Sequence, residues 1–174
     1  MNLRTATDHD ARSIAVVHVA SIRQAYGGLF PGSALDGIDI DDRAVRWRQI
    51  LTDARSTTLV AESNERILGF VNYGPCRDED VAVERVGEIL SIYVAPDAWG
   101  GGVGRSLMQS ALARLASAGF CAAKLWVLDQ NTRAIAFYER AGFARDGSTK
   151  HREMFGVPIT VVRYHGRLGS VLQP

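Results

Sequence analysis

The feature that most constrains the fold is a glycine cluster, Trp99-Gly100-Gly101-Gly102-Val103-Gly104, between an apolar run and a helical pattern. Residues 87–95 are rich in Ile, Leu and Val and predict a strand that Pro96 ends. Residues 104–118 place apolar side chains at helical spacing, and Gly119 follows as a helix end. Glycine lets the backbone approach a ligand, and the helix start adds unpaired N–H groups and a positive dipole end. The cluster therefore predicts a strand–turn–helix unit whose turn could hold a phosphate group.

Two well-known nucleotide loops do not fit this turn. A P-loop requires Gly-x-x-x-x-Gly-Lys followed by Ser or Thr, and the sequence contains no such string. A dinucleotide fingerprint requires Gly-x-Gly-x-x-Gly, but its third glycine would fall on Arg105 or Leu107. A tight glycine turn without a ligand remains open at this point.

The remaining pattern predicts the element order β-α-α-β-β-β-α-β-α-β-β. The strands are expected at 3–6, 57–61, 67–73, 87–95, 121–128, 143–146 and 158–165, and the helices from Thr7 or Asp8 to 26 and at 41–51, 104–118 and 131–141. The strand–turn–helix–strand from 87 to 128 favours a parallel crossover, whereas the hairpins are antiparallel. The pattern thus predicts an α/β fold of mixed α+β character, with a central mixed sheet flanked by helices. One domain over residues 1–166 and a flexible tail over 167–174 are expected.

Composition excludes several classes of protein. The 174 residues carry a formal net charge of +1, which gives no global field to attract nucleic acid or an anionic membrane. Two cysteines, far apart in sequence, favour neither a disulfide scaffold nor a cysteine-only zinc site, and no metal-ligand spacing is evident. The first residues lack an apolar signal core, and no apolar run is long enough to span a bilayer. We therefore expect a cytoplasmic protein without a metal.

Two stretches together resemble the acyl-CoA motifs of the GNAT (Gcn5-related N-acetyltransferase) superfamily. The turn after the 87–95 strand is similar to the family's Gln/Arg-x-x-Gly-x-Gly/Ala, with Gly102 and Gly104 at the small positions and Trp99 where Arg or Gln is usual. Residues 131–143 are similar to its Asn-x-x-Ala-x-x-Phe-Tyr-x-x-x-Gly-Phe pattern. The resemblance covers about residues 59–145 and implies a GNAT-like fold, with a six- to seven-stranded mixed sheet and about four helices. It also implies acetyl-CoA as co-substrate.

The resemblance also implies a set of cofactor-binding residues. Main-chain groups of Ile92, Tyr93 and Val94 would extend the pantetheine arm like an added strand. Asn131 would bind the pantetheine, and Tyr138 would lie at the thioester sulfur. The pyrophosphate would be held by the Ser106 hydroxyl and by the backbone N–H groups of Gly100, Gly101, Gly102, Val103, Gly104 and Arg105.

Spacing supports two of these residues independently of the resemblance. Asn131 and Tyr138 are seven residues apart and so share one helix face. Asn131 could instead be only an N-cap, and Tyr138 could pack its ring in the core with its hydroxyl at the rim. Phe137, about 100° away around the helix, is the better core candidate.

Acyl transfer to an amine needs a neutral amine, a stabilised oxyanion and a protonated leaving thiolate. Only about one alkylamine in 2,500 is neutral at pH 7, so a general base helps. Glu88, at the start of the central strand, is the candidate base and would act through water; a strand-end salt bridge is its alternative. The Val94 N–H would polarise the thioester carbonyl, and Tyr138 would protonate the thiolate. The catalytic candidates are therefore Tyr138 and Glu88.

The acceptor is the least determined part of the prediction. A primary amine, in particular on a small molecule, is expected, with a protein N-terminal amine or a non-catalytic acyl-CoA-binding module as alternatives. An unrelated nucleotide-binding α/β protein also remains open. Aromatic residues such as Trp126 could line the acceptor pocket, and the acidic stretch 78–80 could attract a cationic amine, although core packing and a solvated loop are the simpler interpretations. A homodimer is also expected to be feasible, since dimers are frequent among relatives.

Overall fold

The computed structural model describes residues 1–78 and 85–171. Its strands are β1 (Asn2–Thr5), β2 (Thr57–Ser63), β3 (Arg66–Pro75), β4 (Val86–Val94), β5 (Ala122–Leu128), β6 (Ala144–Met154) and β7 (Val157–Arg167). Its helices are α1 (Ala11–Tyr26), α2 (Gly32–Asp36), α3 (Ile40–Thr52), α4 (Val103–Ser117), α5 (Thr132–Arg140) and α6 (Leu168–Val171).

The strands form one mixed sheet in the order β1-β2-β3-β4-β5-β7-β6. The β1–β2 and β2–β3 pairs are antiparallel, as are β5–β7 and β6–β7. The β4–β5 pair is parallel, and α4 lies in the crossover that a parallel pair requires. The predicted α/β architecture, a mixed sheet of six to seven strands with about four helices, is confirmed, with seven strands in the described residues. The predicted helices correspond to α1, α3, α4 and α5.

Two regions differ from the predicted pattern. No helix was predicted between residues 26 and 41, but α2 begins at Gly32, directly after Pro31, whose fixed φ suits the start of a helix. The predicted tail begins at residue 167, yet β7 runs to Arg167 and the next residue, Leu168, is buried. The Leu168 N–H also donates to the Cys121 carbonyl oxygen at 3.0 Å, so the fold continues past the predicted boundary. Residues 172–174 of the predicted tail lie outside the described residues.

The backbone divides into two compact units, Met1–Tyr73 with Ser91–Met108, and Gly74–Leu90 with Gln109–Pro174. In the first unit, α1 and α3 bury a shared apolar stripe that includes Ile14, Ala44 and Trp47. Phe70 of β3 belongs to the same cluster and is fully buried. Burial of one such aromatic side chain contributes about 2–3 kcal/mol, so this cluster contributes substantially to the stability of the first unit.

The second unit is built around β5, which is parallel to one neighbour, β4, and antiparallel to the other, β7. Its residues from Ala122 to Leu125 pair with β4, and the whole strand pairs with β7. β6 lies at the end of the strand order and is longer than the predicted 143–146 segment, because it continues to Met154. The side chains of β6 are mostly exposed. The segment therefore lacks the alternation of apolar and polar residues from which a strand is predicted.

Candidate active site

The glycine turn lies in the first unit, between β4 and α4. Gly100 and Gly102 adopt φ values of 81° and 80°, a conformation that disfavours any residue with a Cβ. A Cβ built on either glycine meets no atom within 4 Å, so both positions face open space and are not held by packing. The Ser106 N–H donates to the Gly102 carbonyl oxygen at 3.0 Å and closes the first turn of α4. The N–H groups of the first helical residues thus point out of the helix start, an arrangement that suits an anion.

The end of β4, just before this turn, is fixed by two side chains. The carbonyl oxygen of Val94 accepts hydrogen bonds from Ser21 Oγ and Trp99 Nε1, both at 2.7 Å. The next N–H, of Ala95, donates to the Leu68 carbonyl oxygen at 2.8 Å. Because a carbonyl oxygen has two lone pairs, side chains of the protein occupy both of them here. A main-chain contact from Val94 to a ligand would therefore use its N–H group.

Trp99, the position that departs from the family motif, binds the protein itself. Its indole N–H points back to the Val94 carbonyl oxygen, and its side chain is half-buried. A Gln or Arg at this place would have offered a polar group to the ligand. The residue that departs from the motif thus supports the end of the strand.

An aromatic cluster lies against β4, in which His18 contacts the rings of Trp47, Phe70 and Tyr93. Trp47 Nε1 donates to His18 Nδ1 at 3.1 Å, and the ring centroids of His18 and Tyr93 are 4.3 Å apart. Burial lowers the pKa of His18 to about 3, and the charge of Arg43 acts in the same direction. His18 is therefore neutral at physiological pH, and it supports the strand that carries Tyr93.

Glu88, the predicted general base, lies in the second unit as part of a buried ion pair. Its side chain is 10% exposed, and Oε1 lies 3.2 Å from Lys124 Nζ. Oε2 accepts a hydrogen bond from the backbone N–H of Arg77 at 3.0 Å. The salt-bridge alternative for Glu88 is thus realised in the structure, and a role as base has to operate from within this pair.

Asp78 is the centre of the same charge network, which sequence reasoning missed. Asp78 Oδ2 accepts from Lys124 Nζ at 2.5 Å and from Trp126 Nε1 at 2.9 Å, and Oδ1 accepts from Lys150 Nζ at 2.5 Å. Arg163 Nη1 adds a fourth contact at 3.4 Å. Burial alone would raise the pKa of Asp78, but the hydrogen bonds from Lys124, Lys150 and Trp126 outweigh it and hold that pKa well below its usual range. Residues 79 and 80 of the predicted acidic stretch lie outside the described residues.

Asn131 and Tyr138 lie at the start and in the last turns of α5, in the second unit. Asn131 is the N-cap, and its Oδ1 accepts from the Ala134 N–H at 3.1 Å, which leaves Nδ2 as the donor for a ligand. Tyr138 is half-buried, with ring centroids 5.4 Å from Phe137 and 6.5 Å from Phe143. Phe137 is also half-buried, so it is less of a core residue than expected.

Across residues 1–78 and 85–171, His, Cys, Asp and Glu side chains form no group of three that could hold a metal ion. In the same ranges, no helix combines the length and apolar character that a membrane span requires.

Comparisons with known proteins agree with this geometry. Residues 19–143 match the acetyltransferase (GNAT) family. An uncharacterized N-acetyltransferase of Bacillus subtilis (strain 168) is 27% identical over 139 residues, which cover 80% of this chain and 78% of that protein. The chain belongs to the acetyltransferase (GNAT) family, as the sequence motifs predicted.

Solved structures share the fold. The ribosomal-protein-alanine N-acetyltransferase from Brucella melitensis superposes with a TM-score of 0.73 at 23% identity, over 96% of this chain and 99% of that one. The PaiA N-acetyltransferase from Thermoplasma acidophilum, solved with coenzyme A, gives a TM-score of 0.73 at 17% identity, over 95% and 98% of the two chains. At these identities the likeness establishes the fold.

Proposed function

We propose that this GNAT-family protein is an acetyl-CoA-dependent N-acetyltransferase that transfers the acetyl group to a primary amine on a small molecule by direct attack. The observation that carries the proposal is the glycine turn at the start of α4. Its positive φ angles at Gly100 and Gly102 and its open space fit a pyrophosphate cradle. Family membership and a structural neighbour with bound coenzyme A support the same ligand.

The donor contacts follow the order of the chain. Backbone N–H groups from Gly100 to Arg105, with the Ser106 hydroxyl, hold the pyrophosphate. Main-chain groups of Ile92 and Tyr93 and the N–H of Val94 bind the pantetheine arm. Asn131 contributes through Nδ2, since its Oδ1 caps α5.

The chemistry requires three groups of the protein. The amine nitrogen attacks the thioester carbonyl carbon, the C–S bond breaks, and one proton moves from the amine to the thiolate. Glu88 receives the proton of the attacking amine through water, from within its ion pair with Lys124. The Val94 N–H polarises the thioester carbonyl, and the Tyr138 hydroxyl protonates the thiolate.

Two substitutions distinguish an enzyme from a protein that only binds acyl-CoA. Tyr138→Phe and Glu88→Gln should lower the turnover number by about 10²-fold or more while the dissociation constant of CoA stays within about threefold of the wild-type value. Equal acetylation rates in wild type and both variants would contradict the assigned roles. Acetyl-CoA binding without turnover of any amine would favour the binding module.

The nature of the acceptor separates two forms of the proposal. A structural neighbour acts on ribosomal-protein alanine, which keeps a protein N-terminal amine as the alternative acceptor. Mass spectrometry of acetylated products from a small-amine panel and from short peptides decides between them. A cytoplasmic location and a homodimer are further proposals, which fractionation and sedimentation test.

A further inference from the structure

The charge network around Asp78 is larger than the ion pair of Glu88 and Lys124 that enters the proposed acyl transfer. The carboxylates of the network are Asp78, Glu88 and Asp146, and its cations are Lys124, Lys150 and Arg163. Arg77, which is mostly exposed, adds a longer contact, with its Nε 3.9 Å from Glu88 Oε2. All seven residues belong to the second unit.

Lys150 differs in exposure from the other two cations that contact Asp78. Its side chain is 38% exposed, compared with 1% for Lys124 and 10% for Arg163. Its ammonium lies 2.5 Å from Asp78 Oδ1 and 4.2 Å from the centroid of the Trp126 ring. A carboxylate oxygen and an aromatic face are the two groups by which proteins bind alkylammonium ions.

Displacement of the Lys150 side chain would disturb the buried part of the network less than displacement of Asp78. Asp78 is 8% exposed and accepts from donors on both oxygens, so its displacement would leave buried Lys124 without this partner. Lys150 reaches the site on a flexible stem from β6, the last strand of the sheet order. Its withdrawal would remove one positive charge from beside Asp78, which a single monocation restores.

We propose that Asp78 and Trp126 form a binding site for an alkylammonium group, occupied in this structure by the ammonium of Lys150. The acetyl acceptor carries a second positive charge, which takes the place of that ammonium. Lys124 links this site to Glu88, because its Nζ contacts both Asp78 and Glu88. A diamine can thus bind Asp78 through one nitrogen while Glu88 receives the proton of the other. The identity of the ligand as acceptor rests on the proposed function, whereas the existence of the site does not.

The site is tested by binding, without turnover. Lys150→Met removes the charge at similar length, and Lys150→Arg is the matched control that keeps it. Diaminobutane is titrated into each variant while the indole N–H resonance of Trp126, assigned with Trp126→Phe, is followed by NMR. We expect a saturable shift in Lys150→Met, with binding about tenfold tighter than in Lys150→Arg. Calorimetric titration, which needs no Trp126 signal, should show loss of this difference when Trp126→Leu is added to both variants. Circular dichroism verifies that each variant is folded, and Lys150→Gln replaces Lys150→Met if the latter is not.

Equal dissociation constants in Lys150→Met and Lys150→Arg, or a Trp126 resonance that does not respond in Lys150→Met, would overturn the site. The acceptor class is tested by the ratio of kcat/KM for diaminobutane to that for butylamine. This ratio should rise about tenfold in Lys150→Met relative to Lys150→Arg, and an unchanged ratio would overturn the acceptor assignment. If no amine is acetylated at all, the proposed function fails, and the NMR titration still decides the site.

Discussion

The indole N–H of Trp99 donates a 2.7 Å hydrogen bond to the carbonyl oxygen of Val94, across the start of the glycine turn. Ser21 Oγ binds the same oxygen from α1 at the same distance. One side chain from α1 and one from the glycine turn thus hold the last peptide of β4 in one orientation. The turn that follows begins from a fixed point.

Loss of the Trp99 hydrogen bond should weaken CoA binding. Trp99→Phe keeps most of the ring but removes the donor, so the strand end becomes less fixed. One net hydrogen bond is worth about 1 kcal/mol, which corresponds to an increase of about fivefold in the dissociation constant of CoA. Calorimetric titration measures it, with Ser21→Ala as the companion variant that removes the other donor. An unchanged affinity in both variants would show that the strand end needs neither bond.

Substitution of Gly102 should be costly because of its backbone conformation. Gly102→Ala places a Cβ on a residue with φ of 80°, which costs about 1–2 kcal/mol or forces the turn to change. We expect the dissociation constant of CoA to rise about tenfold or more. Gly101→Ala is the matched control, since Gly101 lacks a positive φ and its Cβ would meet the Ala98 carbonyl oxygen only at 3.4 Å. Equal losses in the two variants would argue against the conformational explanation.

Acid should destabilise the protein through His18. Its pKa is lowered from 6.5 to about 3, so the folded state keeps His18 neutral while the unfolded state binds a proton. The stabilisation is therefore full above pH 6.5 and is lost as the pH falls toward 3. Between pH 7 and pH 5 the loss should be about 2 kcal/mol. Urea unfolding of wild type and His18→Asn over this pH range measures it, and equal pH dependence of the two proteins would contradict the assignment.

Removal of Lys124 should be strongly destabilising. Lys124→Met leaves the buried carboxylates of Asp78 and Glu88 without their shared cation, and the free energy of unfolding should fall by about 3–5 kcal/mol. Arg145→Met breaks an exposed pair with Asp129 and should cost at most about 1 kcal/mol. Denaturant unfolding compares the two. A loss below about 1 kcal/mol in Lys124→Met would show that the network contributes little to stability.

Local patterns allowed most of the elements to be predicted. The apolar periodicity of α1 predicted this helix close to its observed bounds. The hairpin of β2 and β3 was likewise predicted, from the strand patterns at 57–61 and 67–73. β6 was predicted too short because an exposed, polar strand carries no alternation. Family resemblance, rather than local pattern, supplied the expected roles of Asn131 and Tyr138, which remain proposals.

The charge network could not be predicted in the same way. Asp78 lies 46 residues from Lys124, 72 from Lys150 and 85 from Arg163 along the chain. Only the pairing of β5, β6 and β7 brings these cations to one place. The acidic stretch at 78–80 suggested that an amine could be attracted there. No sequence pattern indicated that the ammonium of Lys150 contacts Asp78.

The most direct test of the central claim is the release of free CoA from acetyl-CoA in the presence of a panel of primary amines. The account predicts thiol release that requires both acetyl-CoA and an amine, with one acetylated amine formed for each CoA released. Thiol release that no amine increases, in a protein shown to bind acetyl-CoA at the glycine turn, would contradict it.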